Sequence, residues 1–178
     1  MPLPDTGAQR ILGLDLGERR IGVAVADADG GLATPLLTVR RGRTPEADVD
    51  ALARIIAAER AVEVVVGLPL DASGIEGSQA SITRAWVAAV ADGLGVPVAF
   101  RDERLSSHLA EDRLGPMKRG RSGGPPTRAQ RGRYRERIDR EAAAIILQDE
   151  LDARARGERP VRPRVHPSRA DPPLESPG

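Results

Sequence analysis

Three carboxylates sit where the surrounding sequence is built to be covered. Asp15 interrupts the apolar run ILGLDLG, Glu103 follows Asp102 at the end of VPVAFRDE, and Asp139 precedes Ala142, Ala143 and Ile146 at helical spacing. A desolvated carboxylate is costly unless it is paired, hydrogen-bonded or bound to a cation. Each of the three also has an ordinary structural explanation. Asp15 can end a strand before a turn at Gly17. Strand alternation points Asp102 and Glu103 to opposite sides, so only one of them faces a given site. An acid in the first turn of a final helix, where the periodicity places Asp139, favours the helix dipole by a few tenths to about 1 kcal/mol. Taken together, the three can converge on one pocket. Carboxylates at close range repel unless divalent cations neutralise them. Two such ions about 3.5–4 Å apart can activate a water and stabilise the leaving oxygen of a phosphodiester. The chain has no cysteine and only His108 and His166, so the ligands must be mainly oxygen, which favours Mg2+ or Mn2+.

The elements that must carry these groups follow from the apolar periodicity. Residues 10–16, 20–27 and 31–39 read as strands separated by short turns, an antiparallel meander. Thr44, Pro45 and Glu46 open a helix that runs to about Arg60. VEVVVGL (62–68) is a strand after a helix, which implies a crossover and a parallel pairing. A glycine-bearing loop leads to a helix over 78–93, a strand over 96–103, and a helix capped by Ser106 or Ser107. The stretch 116–130 is turn-rich, and the last helix is expected over 138–155. The predicted fold is α/β: a mixed five-stranded sheet, three antiparallel strands followed by parallel ones, flanked by helices. Residues 1–9 read as a flexible lead and 10–155 as one domain. Residues 156–178, rich in arginine and proline, read as a disordered tail.

The chain has 178 residues, 40% hydrophobic and 30% charged, and no apolar run of membrane-spanning length. The first ten residues lack a secretory layout, so a cytoplasmic protein is expected. The net charge of +1 hides an uneven distribution. From Arg113 to Arg140 ten basic residues face two acids, a local +8 that leaves −7 for the remainder. Such a segment suits a polyanion, or is simply a solvated arginine-rich surface. Phe100 and Trp86 read as core, so only Tyr134 is available to stack on a base, and recognition should rest on backbone charge and shape.

Four blocks, ILGLDLGERRIGVAVAD, VVVGLPLDASGIEGSQA, VPVAFRDERLSS and RIDREAAAIILQDEL, resemble those of the bacterial YqgF family, in order over about residues 10–155. Members of that family are described as pre-16S ribosomal RNA nucleases or Holliday-junction resolvase-like proteins. The resemblance implies a ribonuclease H-like fold close to the RuvC resolvases. It also implies that Asp15, Glu103 and Asp139 are the catalytic, metal-binding acids. Glu18 stands where the family usually has a small or polar residue, Asp71 where asparagine is common, and Ser106 and Ser107 where threonine is frequent. None of these removes an expected ligand. Arg20 and Arg104 flank the acids and are candidates for phosphate contact, with an ion pair as the alternative for Arg104. Lys118, Arg119 and Arg121 are further candidates for substrate binding.

The expected function is a metal-dependent nuclease that processes the 5′ end of precursor 16S rRNA, on its own or on ribosomal particles. Two alternatives are a Holliday-junction resolvase acting on branched DNA and a non-catalytic nucleic-acid-binding module. No exposed apolar stripe announces a dimer, so a monomer or weak dimer is expected. LGLDLG also resembles the phosphate loop of sugar kinases and actin-like ATPases. Those proteins need two such domains, and 178 residues do not hold two.

Overall fold

The computed structural model describes residues 8–71, 73–103, 106–117 and 125–163. The element order is β1 (Arg10–Leu16), β2 (Arg20–Asp27), β3 (Thr34–Arg40), α1 (Pro45–Glu59), β4 (Ala61–Leu68), α2 (Ser78–Leu94), β5 (Val98–Asp102), α3 (Ser106–Leu114) and α4 (Arg128–Ala155). The sheet order is β3-β2-β1-β4-β5. β1 pairs antiparallel with β2 and parallel with β4, and β4 pairs parallel with β5. The expected mixed five-stranded sheet, three antiparallel strands followed by parallel ones, is therefore present.

Strand alternation divides the sheet into two faces. Leu12, Leu14, Ile21, Val23, Val64, Val66, Val98 and Phe100 point to the face covered by α1 and α2. Leu52 and Ile56 of α1 and Trp86, Val87 and Val90 of α2 complete that core. Trp86 and Phe100 are core residues, as expected. The Trp86 indole N–H donates to the buried Asp48 carboxylate at 2.9 Å. Ile82 of α2 is half exposed. Ile11, Ala24, Ala26 and Val65 point the other way and meet Ala143, Ile146 and Leu147 of α4.

The α4 face is made of small residues where the helix lies closest. Gly13 on β1 and Gly22 on β2 each lack the Cβ that the helix backbone would strike. A Cβ at Gly13 would sit 2.7 Å from the Ala143 carbonyl oxygen, and one at Gly22 would overlap the Asp139 carbonyl. Gly22 is the register partner of Asp15. Hence the same close approach that seats α4 also sets Asp139 beside Asp15.

Helix α4 corrects an expectation. It begins at Arg128, ten residues before the expected start. Thr127 caps it, accepting from the Gln130 N–H at 3.2 Å while the Gln130 side chain accepts from the Thr127 N–H at 2.7 Å. This reciprocal box satisfies two orphan donors and lets an arginine-rich stretch, without apolar periodicity, start a 28-residue helix. Asp139 therefore lies in mid-helix, and the first-turn dipole explanation for it falls away. Tyr134, the one aromatic left for base stacking, donates its hydroxyl to the Gly115 carbonyl at 2.7 Å and ties α4 to the end of α3.

β5 is an edge strand, and the described part of the expected tail runs along it. The Phe100 N–H donates to the Val161 carbonyl at 2.6 Å, and Arg162 pairs with Glu63 at 3.1 Å. Backbone pairing and a partly buried carboxylate thus hold residues 158–163 to the domain, beyond the boundary expected at 155. Residues 1–7 and 164–178 lie outside the described residues.

Gly22→Ala is expected to lower the unfolding free energy by about 1–3 kcal/mol, because the α4 backbone must move to admit the methyl. Gly132→Ala, in α4 with nothing within 4 Å of its added carbon, is expected to raise it by about 0.5–1 kcal/mol. Denaturant unfolding of the two variants checks both signs.

Candidate active site and nucleic-acid interface

Asp15 continues the odd-numbered face of β1, after Ile11 and Gly13, and so points towards α4. Glu103 lies one residue beyond β5. Its N–H donates to the Leu68 carbonyl at 3.0 Å, which carries the β4–β5 pairing one step further. Its side chain turns back over Gly67, and a Cβ there would collide with the Glu103 Oε2 atom. The Ser106 hydroxyl, at the start of α3, donates to Glu103 Oε1 at 2.6 Å and fixes the carboxyl's orientation. Glu103, rather than Asp102, is the member of the pair that meets Asp15.

The electrostatics reflect this confinement. Burial pushes the Asp15 carboxyl well above its ordinary 3.8, and the neighbouring charges of Glu103 and then Asp139 push it further. Glu103 is also raised, chiefly by burial, while hydrogen bonds from Ser106 and Asp15 oppose the shift. Two carboxyls that share a hydrogen bond in a desolvated corner ionise together only if a cation joins them. The donor set therefore fits an oxygen-liganded divalent ion: Asp15 and Glu103 supply adjacent carboxylates and Asp139 lies within reach of their charge. Among the described residues, no three such side chains already stand at metal-holding distances. Asp139 is instead engaged by the Arg20 Nε–H, which donates to its Oδ2 atom.

Beside the acids lies a basic groove. Arg19, Arg20, Thr38, Arg40, Arg128, Arg131, Arg135 and Glu136 line it. A second recess, bounded by Gly17, Glu18, Arg19, Arg20, Arg135 and Asp139, adjoins this groove and reaches Asp139. Arg128, Arg131, Arg135 and Asp139 fall at spacings of three and four along α4, so one helix face is basic, then acidic, then apolar where it meets the sheet. Among the described residues, Arg19, Arg40, Arg128, Arg131 and Arg135 form no ion pair. Uncompensated guanidinium groups around a concave surface suit phosphate oxygens.

Sequence reasoning named Asp15, Glu103, Asp139 and Arg20 as candidates. The structure brings Asp15 and Glu103 together, with Arg20 bound to Asp139 beside them. It missed the groove as a unit, although it counted the charges of Arg128, Arg131 and Arg135. The signal was the cap, Thr127 with Gln130 three residues on, which makes those arginines one face of a helix. Arg104, Lys118, Arg119 and Arg121 lie outside the described residues. Asp71 is structural: its Oδ1 atom accepts from the Ser73 and Ile75 N–H groups at 2.9 and 2.8 Å and shapes the loop after β4.

The model of the RuvX family, described as Holliday junction resolvase, matches residues 9–153. The chain belongs to the RuvX family. Among its relatives, a protein of Chloroflexus aggregans named "Putative pre-16S rRNA nuclease" is 44% identical over 146 residues, 82% of this chain and 95% of that protein. A protein of the same name from Anaeromyxobacter sp. (strain K) is 45% identical over 146 residues, 82% of this chain and 98% of that protein. Among solved structures, Thermus thermophilus RuvC in complex with a Holliday junction substrate is 16% identical, with a TM-score of 0.48. That alignment covers 86% of this chain and 99% of RuvC. No helix among the described residues is long and apolar enough to cross a membrane.

The raised acids give this RuvX-family chain a pH signature. Between the ordinary 3.8 of Asp15 and its raised folded value, the folded state binds more protons than the unfolded one. Stability therefore falls as pH rises through that window. Asp15→Asn removes the cost. Without divalent ions at pH 7 it is expected to melt at a higher temperature than wild type, and the gap should close as pH falls towards about 4. Thermal melts across pH in the presence of chelator check this.

Proposed function

We propose that this protein is a metal-dependent nuclease that processes the 5′ end of precursor 16S rRNA. The observation that carries the reading is a desolvated carboxyl pair, Asp15 and Glu103, beside Asp139, whose recess adjoins a groove lined by six arginines. The names and near-complete coverage of the relatives support an RNA substrate, and the description of the RuvX family model supports branched DNA as the second reading. The acids retained at all three positions weigh against a non-catalytic binding module.

In this reading the groove arginines hold the phosphate backbone and set its path past Asp139. Asp15, Glu103 and Asp139 would hold divalent ions, Mg2+ or Mn2+, whose chemistry there would be activation of a water and stabilisation of charge at the leaving oxygen. Ser106 keeps Glu103 aimed at Asp15. Gly67 leaves the space that the Glu103 carboxyl occupies. Lys118, Arg119, Arg121 and Arg104, which lie outside the described residues, are the further candidates for phosphate contact. The groove reads charge rather than sequence, so specificity comes from the shape of a structured substrate or from a ribosomal particle that presents it.

Cleavage of a precursor 16S rRNA 5′ leader and of a four-way DNA junction, each with Mg2+, Mn2+ or chelator, tests the reading. Metal-dependent cutting of the RNA is expected. Asp15→Asn and Glu103→Gln should each lose more than about 100-fold in rate, beyond the 10–100-fold typical of losing an outer-shell partner. Paired nicks in the junction with intact RNA would favour the second reading, and cutting of neither would overturn both. For binding, Arg131→Ala is expected to weaken affinity across sequences and to flatten the logarithmic salt slope by about 1. Anisotropy titrations at several salt concentrations measure that slope.

A further inference from the structure

Arg20 stands at the join between the basic groove and the acids. It lines both recesses, and its Nε–H donates to Asp139 Oδ2. The Asp139 hydrogen bond in turn holds the Arg20 guanidinium in its charged form more firmly than usual. Both side chains are partly buried, at 29% and 21% exposure, so the pair is neither fully screened nor locked in the core. Asp139 is near enough for its charge to raise Asp15, yet its own carboxylate is occupied by a guanidinium. Asp139 thus already has a counter-ion, and it is one that a phosphate could also claim.

Resting on the nuclease reading, we propose that Arg20 is an exchangeable counter-ion that couples substrate binding to metal binding. Without substrate, Arg20 neutralises Asp139 and competes with a divalent ion for that carboxylate. A phosphate entering the groove offers the same guanidinium two oxygens in the planar arrangement it prefers. Arg20 turns to the phosphate, and Asp139 is left beside Asp15 and Glu103 with no cation of its own. That raises the demand of the three carboxylates for a divalent ion. By linkage the effect is reciprocal: the ion releases Arg20 to the phosphate, and the phosphate opens Asp139 to the ion. Arg20 is here a positioning residue, acting on the metal site through Asp139. The arrangement keeps the carboxylates from assembling a full-strength site until a substrate backbone is in place.

The test reads metal affinity directly. Mn2+ binding to the protein alone, followed by electron paramagnetic resonance of the free ion, should tighten in Arg20→Gln by about 5-fold or more, the lower end of ordinary coupling. Arg20→Lys, which keeps a cation near Asp139, should fall between wild type and Arg20→Gln. In an Asp139→Asn background the effect of Arg20→Gln should vanish, since the contested carboxylate is gone. A labelled phosphorothioate RNA duplex, followed by anisotropy at fixed ionic strength, should bind wild type more tightly with Mn2+. That enhancement should shrink in Arg20→Gln. Thermal melts of each variant establish that it is folded. Unchanged or weaker Mn2+ binding in folded Arg20→Gln would overturn the proposal and leave Arg20 as a structural partner of Asp139. If Asp15→Asn also leaves Mn2+ binding unchanged, the carboxylates hold no metal, and the nuclease reading fails with it.

Discussion

Helix α4 lies so close to the sheet that two strand positions beneath it have no room for a side chain. Gly13 and Gly22 provide that room, and Gly22 sits opposite Asp15 in the antiparallel register. This single approach fixes several things at once. It places Asp139, the residue whose carbonyl rests over Gly22, beside the acid of β1. It also sets the axis of a 28-residue helix whose first turns extend past the apolar contact. Those turns carry Arg128, Arg131 and Arg135, so the basic groove is an outgrowth of the same packing. A helix seated further out would separate the acids and lift the arginines away from Arg19, Arg20 and Arg40.

The acids then pose an energetic problem that the fold solves only in part. Asp15 and Glu103 meet in a desolvated corner, where burial raises both carboxyls above their ordinary values. Gly67 gives the Glu103 carboxyl its space, and the Ser106 hydroxyl compensates one of its oxygens. Asp139 is neutralised by Arg20. Thus two acids share a hydrogen bond and the third is held by a guanidinium. Carboxyls raised by burial together with specific charged neighbours in this way cluster at functional sites.

Much of this was legible in the sequence because alternation and periodicity are local. The β1 pattern put Asp15 on the face away from Leu12 and Leu14, and the parity of β5 separated Glu103 from Asp102. The meander and crossovers followed from turn residues and the change of period. What escaped notice was encoded by capping rather than by hydrophobicity. The stretch from Arg128 to Arg137 has almost no apolar side chain, so no periodic stripe marks it as helix. Thr127 and Gln130 mark it instead, through two hydrogen bonds. Reading the helix ten residues short turned Asp139 into a first-turn acid and scattered the arginines into a loop. The chain after 155 was likewise read as a disordered tail, whereas the open backbone groups of the edge strand β5 pair with Val161.

The distribution of charge along α4 follows from the division of labour between its halves. The C-terminal half packs against two partners, the sheet and α3, and Ala142 through Leu147 are all buried. It can afford no charge there, and small alanines permit the close approach. The N-terminal half has the sheet's polar rim on one side and solvent on the other. Its arginines cost nothing in desolvation and collect around a concave surface. Asp139 sits at the border, where the dielectric changes from water-like to protein-like within one turn. At such a border a carboxylate is exposed enough to exchange partners and buried enough for each partner to matter. The sequence RIDREAAAII therefore does more than end a basic segment and begin an apolar one. It places Asp139 where the helix reaches both the arginine-lined recess and the buried pair.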